Sequence, residues 1–439
     1  EDAELALSDR RYGFINGACA EAVTSSEHEA VDWSERIDRI VTSRVLGIPI
    51  FLLLMWGLFE MVFRLGAPPM EWLEMGFGWL GTQAAALLPD GPVQSLIVDG
   101  IIGGVGGVLI FVPQIMLLFL GIALLEDSGY MSRAAFVVDK LMHHIGLHGK
   151  SFIPMLIGFG CSVPAIMATR TLESRRDRLT TMLVTPLMSC GARLPVYVLL
   201  AGAFFVPQMA GKVIFSIYLL GVLFAILMAR IFRSTILKGP MTPFVMELPP
   251  YRRPTLKGTL LHMWERAWCY IKKAGTVILA ASVIIWAMLS YPKPPANYDL
   301  QGEPEIAYTV AGRLGKAIEP VIEPLGFDWK IGISLTAGLA AKEVVVSTLA
   351  TTYSLEEADE GGMKAISEAL RQDPVFSPLV AYALMAFVLL YMPCVAAMAV
   401  LWRESGSWKW AAFAVAYTIG LAWIVSFAIY QGGTLLGLG

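Results

Sequence analysis

The 439-residue chain is 56% hydrophobic and only 16% charged, with a mean hydropathy of +0.63. Soluble domains sit nearer half apolar and a quarter charged, so the long apolar runs here make an all-α polytopic membrane protein and exclude a string of soluble domains. A net charge of −3 excludes nucleic acid as a partner, and no nucleophile–base set is present to support enzymatic chemistry.

The chain opens Glu1-Asp2-Ala3, with no initiator Met or cleavable signal, and reads as a fragment lacking its N-terminal part. Residues 1–44 carry ten acidic and five basic residues and read as a cytoplasmic linker. Within it, Val31–Thr42 alternates apolar and charged positions at helical spacing, which predicts an amphipathic helix along the membrane surface. The first span is expected at Val45–Arg64. Further apolar stretches run over 95–126, 151–169, 181–206, 213–231, 274–291, 331–352, 379–402 and 411–430.

Loop charge sets the orientation. Residues 65–93 hold two Glu and one Asp but no Lys or Arg, whereas the loop 230–273 holds nine basic residues against two Glu. The basic loops 128–150, 170–178 and 230–273 are therefore cytoplasmic, and 65–93 and 292–330 external, with the N-terminus inside. Both ends of 151–169 then lie inside, so this segment should be a re-entrant hairpin, broken by Pro154, Gly158, Gly160 and Pro164. Both ends of 331–352 lie outside, which predicts a second hairpin from the opposite face. Such backbone survives at membrane depth only where protein or water covers it.

An internal repeat follows. One unit comprises a span (105–126), a hairpin (151–169) and a broken span (181–206). The second comprises a span (274–291), a hairpin (331–352) and a broken span (379–402), in the opposite orientation. This is the inverted-repeat signature of secondary transporters. The chain accordingly divides into the linker 1–44, a first transmembrane half 45–230, a cytoplasmic basic loop 231–273 and a second half 274–439.

The five cysteines, at 19, 161, 190, 269 and 394, do not form an extracellular disulfide framework. Cys19 and Cys269 receive no role. Cys161, in GFGCSVPA, Cys190, in MSCGARLP, and Cys394, in MPCVAAM, each stand at a Gly or Pro break. There a soft thiolate joins freed carbonyls and helix ends, a donor set suited to a cation path. Arg193, Lys342 and Glu343 are costly charges at membrane depth, functional by default. Glu343 could ligate a cation or pair with Lys342 or Arg193. Met188, Met392, Ser189, Glu126 and Asp127 are further candidates for the path or its gating. By contrast, GLHGKS (146–151) lacks phosphate-loop spacing, GGVGG (103–107) suits close helix packing, and His143, His144 and His148 read as a solvated face.

Several stretches resemble the membrane domain of FeoB ferrous-iron transporters: RRYGFI (11–16), DRIVTSRVLGIPIF (38–51), GVGGVLIFVPQIMLLF (104–119), LEDSGYMSRAAFVVDKLM (125–142), GKSFIPMLIGFGCSVPAIMATRTLESRRDRL (149–179), MSCGARLPVYVL (188–199) and AAKEVVVSTLA (340–350). The resemblance covers nearly the whole chain. It implies two gate repeats like those of nucleoside transporters, and Fe²⁺ carried as substrate across the bacterial inner membrane. It further implies control by GTP and Mg²⁺ on an N-terminal G-protein domain that this chain lacks, and a permeation or sensing role for Cys161, Cys190 and Cys394. Implied partners are the lipid bilayer, the chain's own G-protein domain, small cytoplasmic Feo accessory proteins and further copies of the chain. A gate-fold carrier of an organic solute such as a nucleoside is the alternative.

Overall fold

A computed structural model describes residues 33–43, 45–89, 91–239, 251–294, 304–353 and 360–437, with scattered positions between 14 and 22. Among them every regular element is helical. Six helices are long and apolar enough to cross a membrane: Gly47–Leu87, Pro92–Asp127, Arg175–Phe204, Pro207–Ser234, Pro378–Ser405 and Trp408–Leu435. A seventh helical run, 256–290, carries the shorter apolar stretch Leu279–Ser290.

The first helix corrects the expected external loop 65–93. It runs 41 residues, through Pro68 and Pro69, for about 62 Å against the roughly 30 Å of a hydrocarbon core. Proline's fixed φ is compatible with a helix, and the lost bonds are offset where the chain turns back and packs antiparallel along it. Gly81 meets Val98, and Gly106 lies against Phe77 so closely that a Cβ would stand 3.1 Å from the ring. Gly104 packs on Ser282 in the same manner, the close approach that GGVGG suggests.

The basic loop 231–273 also needs correcting. Residues 240–250 lie outside the described residues, but Leu256–Tyr270 is a helix that continues into Thr276–Ser290. Thr259 on it donates to Asp127 at 3.2 Å. Charge alone marks such a segment as cytoplasmic, yet says nothing about its conformation.

The broken segments match the sequence reading. The first hairpin is Phe152–Gly158, a break at 159–161, and Ser162–Ala168. The second is Trp329–Ala337, a break at 338–343, and Val344–Thr352. The first broken span pauses between Val184 and Leu194, and the second between Leu390 and Val395. In both units one backbone bond joins hairpin tip to broken span. Gly191 N–H donates to Gly160 C=O at 3.3 Å, and Val395 N–H to Leu339 C=O at 3.0 Å. Each donor directly follows one of the paired cysteines, so the two units share an internal correspondence.

Ion pairs fasten the ends. Glu404, 6% exposed at the end of the second broken span, accepts from Arg170 of the first hairpin and, at 2.8 Å, from Arg178 of the first broken span. At the other end of the bundle Asp373 accepts from Lys330 at 2.8 Å and from the Tyr353 hydroxyl at 2.6 Å, joining both ends of the second hairpin. The amphipathic helix expected within 31–42 is Trp33–Val41. Its Asp38 takes both oxygens to Arg133, at 2.6 and 3.0 Å, and accepts from Tyr251 at 2.9 Å. The Arg133 guanidinium stacks 3.9 Å over that ring.

The hydrogen bond from Arg133 holds the Asp38 carboxyl below its ordinary range of about 3.8. A carboxyl depressed in the folded state contributes stability above its unfolded pKa and loses it as pH falls through the folded value. Asp38→Asn should therefore speed amide exchange across residues 33–41 at pH 7, and the difference from wild type should shrink as pH falls below the ordinary carboxyl range and vanish only below the depressed folded value. Glu404→Gln should lower stability by roughly 1–2 kcal/mol, seen as a lower unfolding temperature in detergent, because both arginines lose a charged acceptor in a partly exposed setting.

Candidate metal path

The four breaks face one cavity of about 790 Å³. Cys161, Cys190 and Cys394 all line it, with Arg193, Lys342 and Glu343. Three thiols separated by up to 233 positions in sequence thus share one space, and all three are free. Among the described residues no three His, Cys, Asp or Glu side chains stand close enough to hold a metal together. The three thiols and Glu343 are thus separate positions on one cavity wall rather than a closed cage among the described residues.

The cations secure the loops that carry the thiols. Arg193, 1% exposed, donates to the carbonyls of Met188 at 3.1 Å and Pro186 at 3.2 Å. Lys342, 2% exposed, donates to the carbonyl of Met392 at 2.6 Å and lies 3.1 Å from the centre of the Tyr391 ring. Met188 and Met392 each precede their cysteine by two positions, so both repeats use a buried cation to satisfy the same freed carbonyl. This is the accounting that broken helices in lipid require.

These contacts also sort the candidate residues. Met188 and Met392 do not line the cavity; they act here through backbone oxygens rather than thioethers. Ser189 is buried and donates to Tyr197 at 3.3 Å, while Glu126 and Asp127 also lie off the cavity wall. Glu343 faces the cavity, and among the described residues it forms no ion pair with Lys342 or Arg193. Cys19 and the side chain of Cys269 lie outside the described residues.

Among the lining residues that escaped the sequence reading are Asp99 and Gln114. Asp99 sits in a π-helical segment, Leu96–Ile102, inside the apolar run 95–126. An acid within such a run is itself a signal, since charge at membrane depth is expensive. The wall continues along Val344–Thr352, where Glu343, Val344, Ser347 and Thr351 fall on one face and extend the cavity by roughly 12 Å along the helix axis. Glu404 and Arg178 line a separate recess of about 330 Å³.

Comparison with known proteins places this architecture. Residues 108–204 and 271–408 match the Gate family, described as nucleoside recognition, and residues 214–266 match the ferrous iron transport protein B C terminus. The chain is 50% identical to an Fe(2+) transport protein A/Fe(2+) transporter FeoB fusion protein of Porphyromonas gingivalis, over 99% of this chain and 56% of that protein. It is 46% identical to the Fe(2+) transporter FeoB of Campylobacter jejuni, over 94% of this chain and 67% of the relative. The Staphylococcus aureus Fe(2+) transporter FeoB is 43% identical, over 97% and 63%. The chain thus spans between about half and two-thirds of these relatives' length. No solved structure matches it. With its gate hairpins, its broken spans and relatives of this similarity, the chain belongs to the FeoB family of Fe(2+) transporters.

Proposed function

We propose that this chain is the membrane-embedded pathway by which ferrous iron crosses the bacterial inner membrane, entering the cavity from the outer face. The observation that carries the reading is the meeting of Cys161, Cys190, Cys394 and Glu343 on one cavity wall. Fe²⁺ is borderline in softness and binds weakly within the divalent series, so a path for it must offer sulfur and oxygen without trapping tighter-binding ions. Thiols on three different loops, with one carboxylate, supply such contacts in succession, and each contact stays weak enough to release the ion.

In this reading Arg193 and Lys342 are positioning residues. They hold the Met188 and Met392 carbonyls and through them the loops that present Cys190 and Cys394. Met188, Met392, Ser189, Glu126 and Asp127 receive no direct contact with iron. The two repeats run in opposite senses through the bilayer, with hairpins re-entrant from opposite faces, as loop charge requires. GTP binding or hydrolysis, with Mg²⁺, on an N-terminal G-protein domain controls passage through the linker helix Trp33–Val41, whose Asp38 is fastened to Arg133. The fused relative's name supports a small accessory protein as a partner. An organic solute such as a nucleoside is not favoured, since relatives covering 94–99% of the chain are named as Fe(2+) transporters.

The test is Fe²⁺ uptake into proteoliposomes holding full-length protein. Cys161→Ser, Cys190→Ser and Cys394→Ser, made singly, should each slow uptake, with the strongest losing about tenfold or more. Unchanged rates in all three would remove the thiols from the path while leaving the family assignment intact.

A further inference from the structure

Four charged residues line the cavity: Arg193, Lys342, Glu343 and Asp99. The two cations face a single acid at the broken helices, so without Asp99 the wall would carry a formal charge of +1. Asp99 brings the formal sum to zero and stands on a different element from the other three, the π-helical segment Leu96–Ile102.

Its carboxylate is oriented by a directed chain of hydrogen bonds. The Trp286 indole N–H donates to Ser95 Oγ at 3.1 Å, and the Ser95 hydroxyl donates to Asp99 Oδ2 at 2.8 Å. An indole nitrogen can only donate, so Ser95 must accept from it and has its one proton left for Asp99. Oδ1 accepts no hydrogen bond among the described residues, which leaves it for a ligand. The backbone carrying it is π-helical, an irregularity concentrated at functional sites.

The geometry points to Asp99 as the residue that admits the cation: a carboxylate, wired by Ser95 and Trp286, that captures a hydrated divalent metal at the cavity mouth and passes it toward Glu343 and the thiols. This inference rests on the transport reading above and adds a specificity-determining residue to it. A hard, singly charged oxygen ligand suits an ion that still keeps most of its water, whereas the sulfurs deeper in the cavity suit one that has shed some. Electrostatic capture raises the local ion concentration and the rate of entry, an effect that salt weakens.

The experiment is initial-rate Fe²⁺ uptake by full-length protein in proteoliposomes, over a range of Fe²⁺ concentration and at low and high ionic strength. Asp99→Asn should raise KM on the order of tenfold with a nearly unchanged maximal rate, and should flatten the dependence of KM on salt. Asp99→Glu should restore most of the loss, and Ser95→Ala should raise KM by a smaller factor, since it frees the carboxylate without removing it. Wild-type kinetics in Asp99→Asn, or a fall in maximal rate at constant KM that Asp99→Glu does not rescue, would overturn the inference while wild-type uptake upholds the transport reading. Absence of Fe²⁺ uptake by the wild-type protein overturns both.

Discussion

The structure depends on satisfying backbone that leaves the helix inside an apolar bundle. Four segments break at this depth, and every break frees N–H and C=O groups that lipid cannot solvate. Two equivalent bonds, Gly191 to Gly160 and Val395 to Leu339, join each hairpin tip to its own broken span. Two buried cations complete the accounting, Arg193 on the carbonyls of Met188 and Pro186 and Lys342 on that of Met392. Without them the loops bearing Cys190 and Cys394 would have no fixed place.

The same arrangement creates the cavity's electrostatic problem. Cations recruited to hold carbonyls repel the ion that the thiols would contact. The same wall carries two acids, Glu343 beside the breaks and Asp99 on the π-helical segment. Structural need and ionic selectivity are thereby coupled: the positive charges that make broken helices tolerable set the number of carboxylates a cation path requires.

One bundle end is fastened by residues from different repeats, the other by residues within the second repeat. Glu404 joins the second broken span to both the first hairpin and the first broken span, and Asp373 gathers the ends of the second hairpin. Motion of one repeat against the other would have to break the partly exposed pairs of Glu404 with Arg170 and Arg178. The linker helix is joined to the same scaffold through Asp38, Arg133 and Tyr251. A force applied to the linker reaches helix Tyr130–Ile145 directly.

Much of this was legible in the sequence, because lipid imposes strict local rules. Apolar length located the spans, loop charge exposed the hairpins, and Gly or Pro beside each cysteine located the breaks. The 65–93 and 256–273 segments were misread as loops, since acidic or basic charge is a signal about compartment alone, whereas the helical conformation depended on packing against Val98 and Asp127. Asp99 was passed over because one acid in an apolar run has no pattern to mark it; only the fold brings it to the wall shared with Cys161, Cys190 and Cys394. The sequence by itself determined where the chain must cross and where it must break, because these follow from the solubility of each segment in lipid. Which broken ends meet, which carbonyls the cations take and which acids share the cavity were decided by tertiary structure, because each is a contact between residues far apart in the chain.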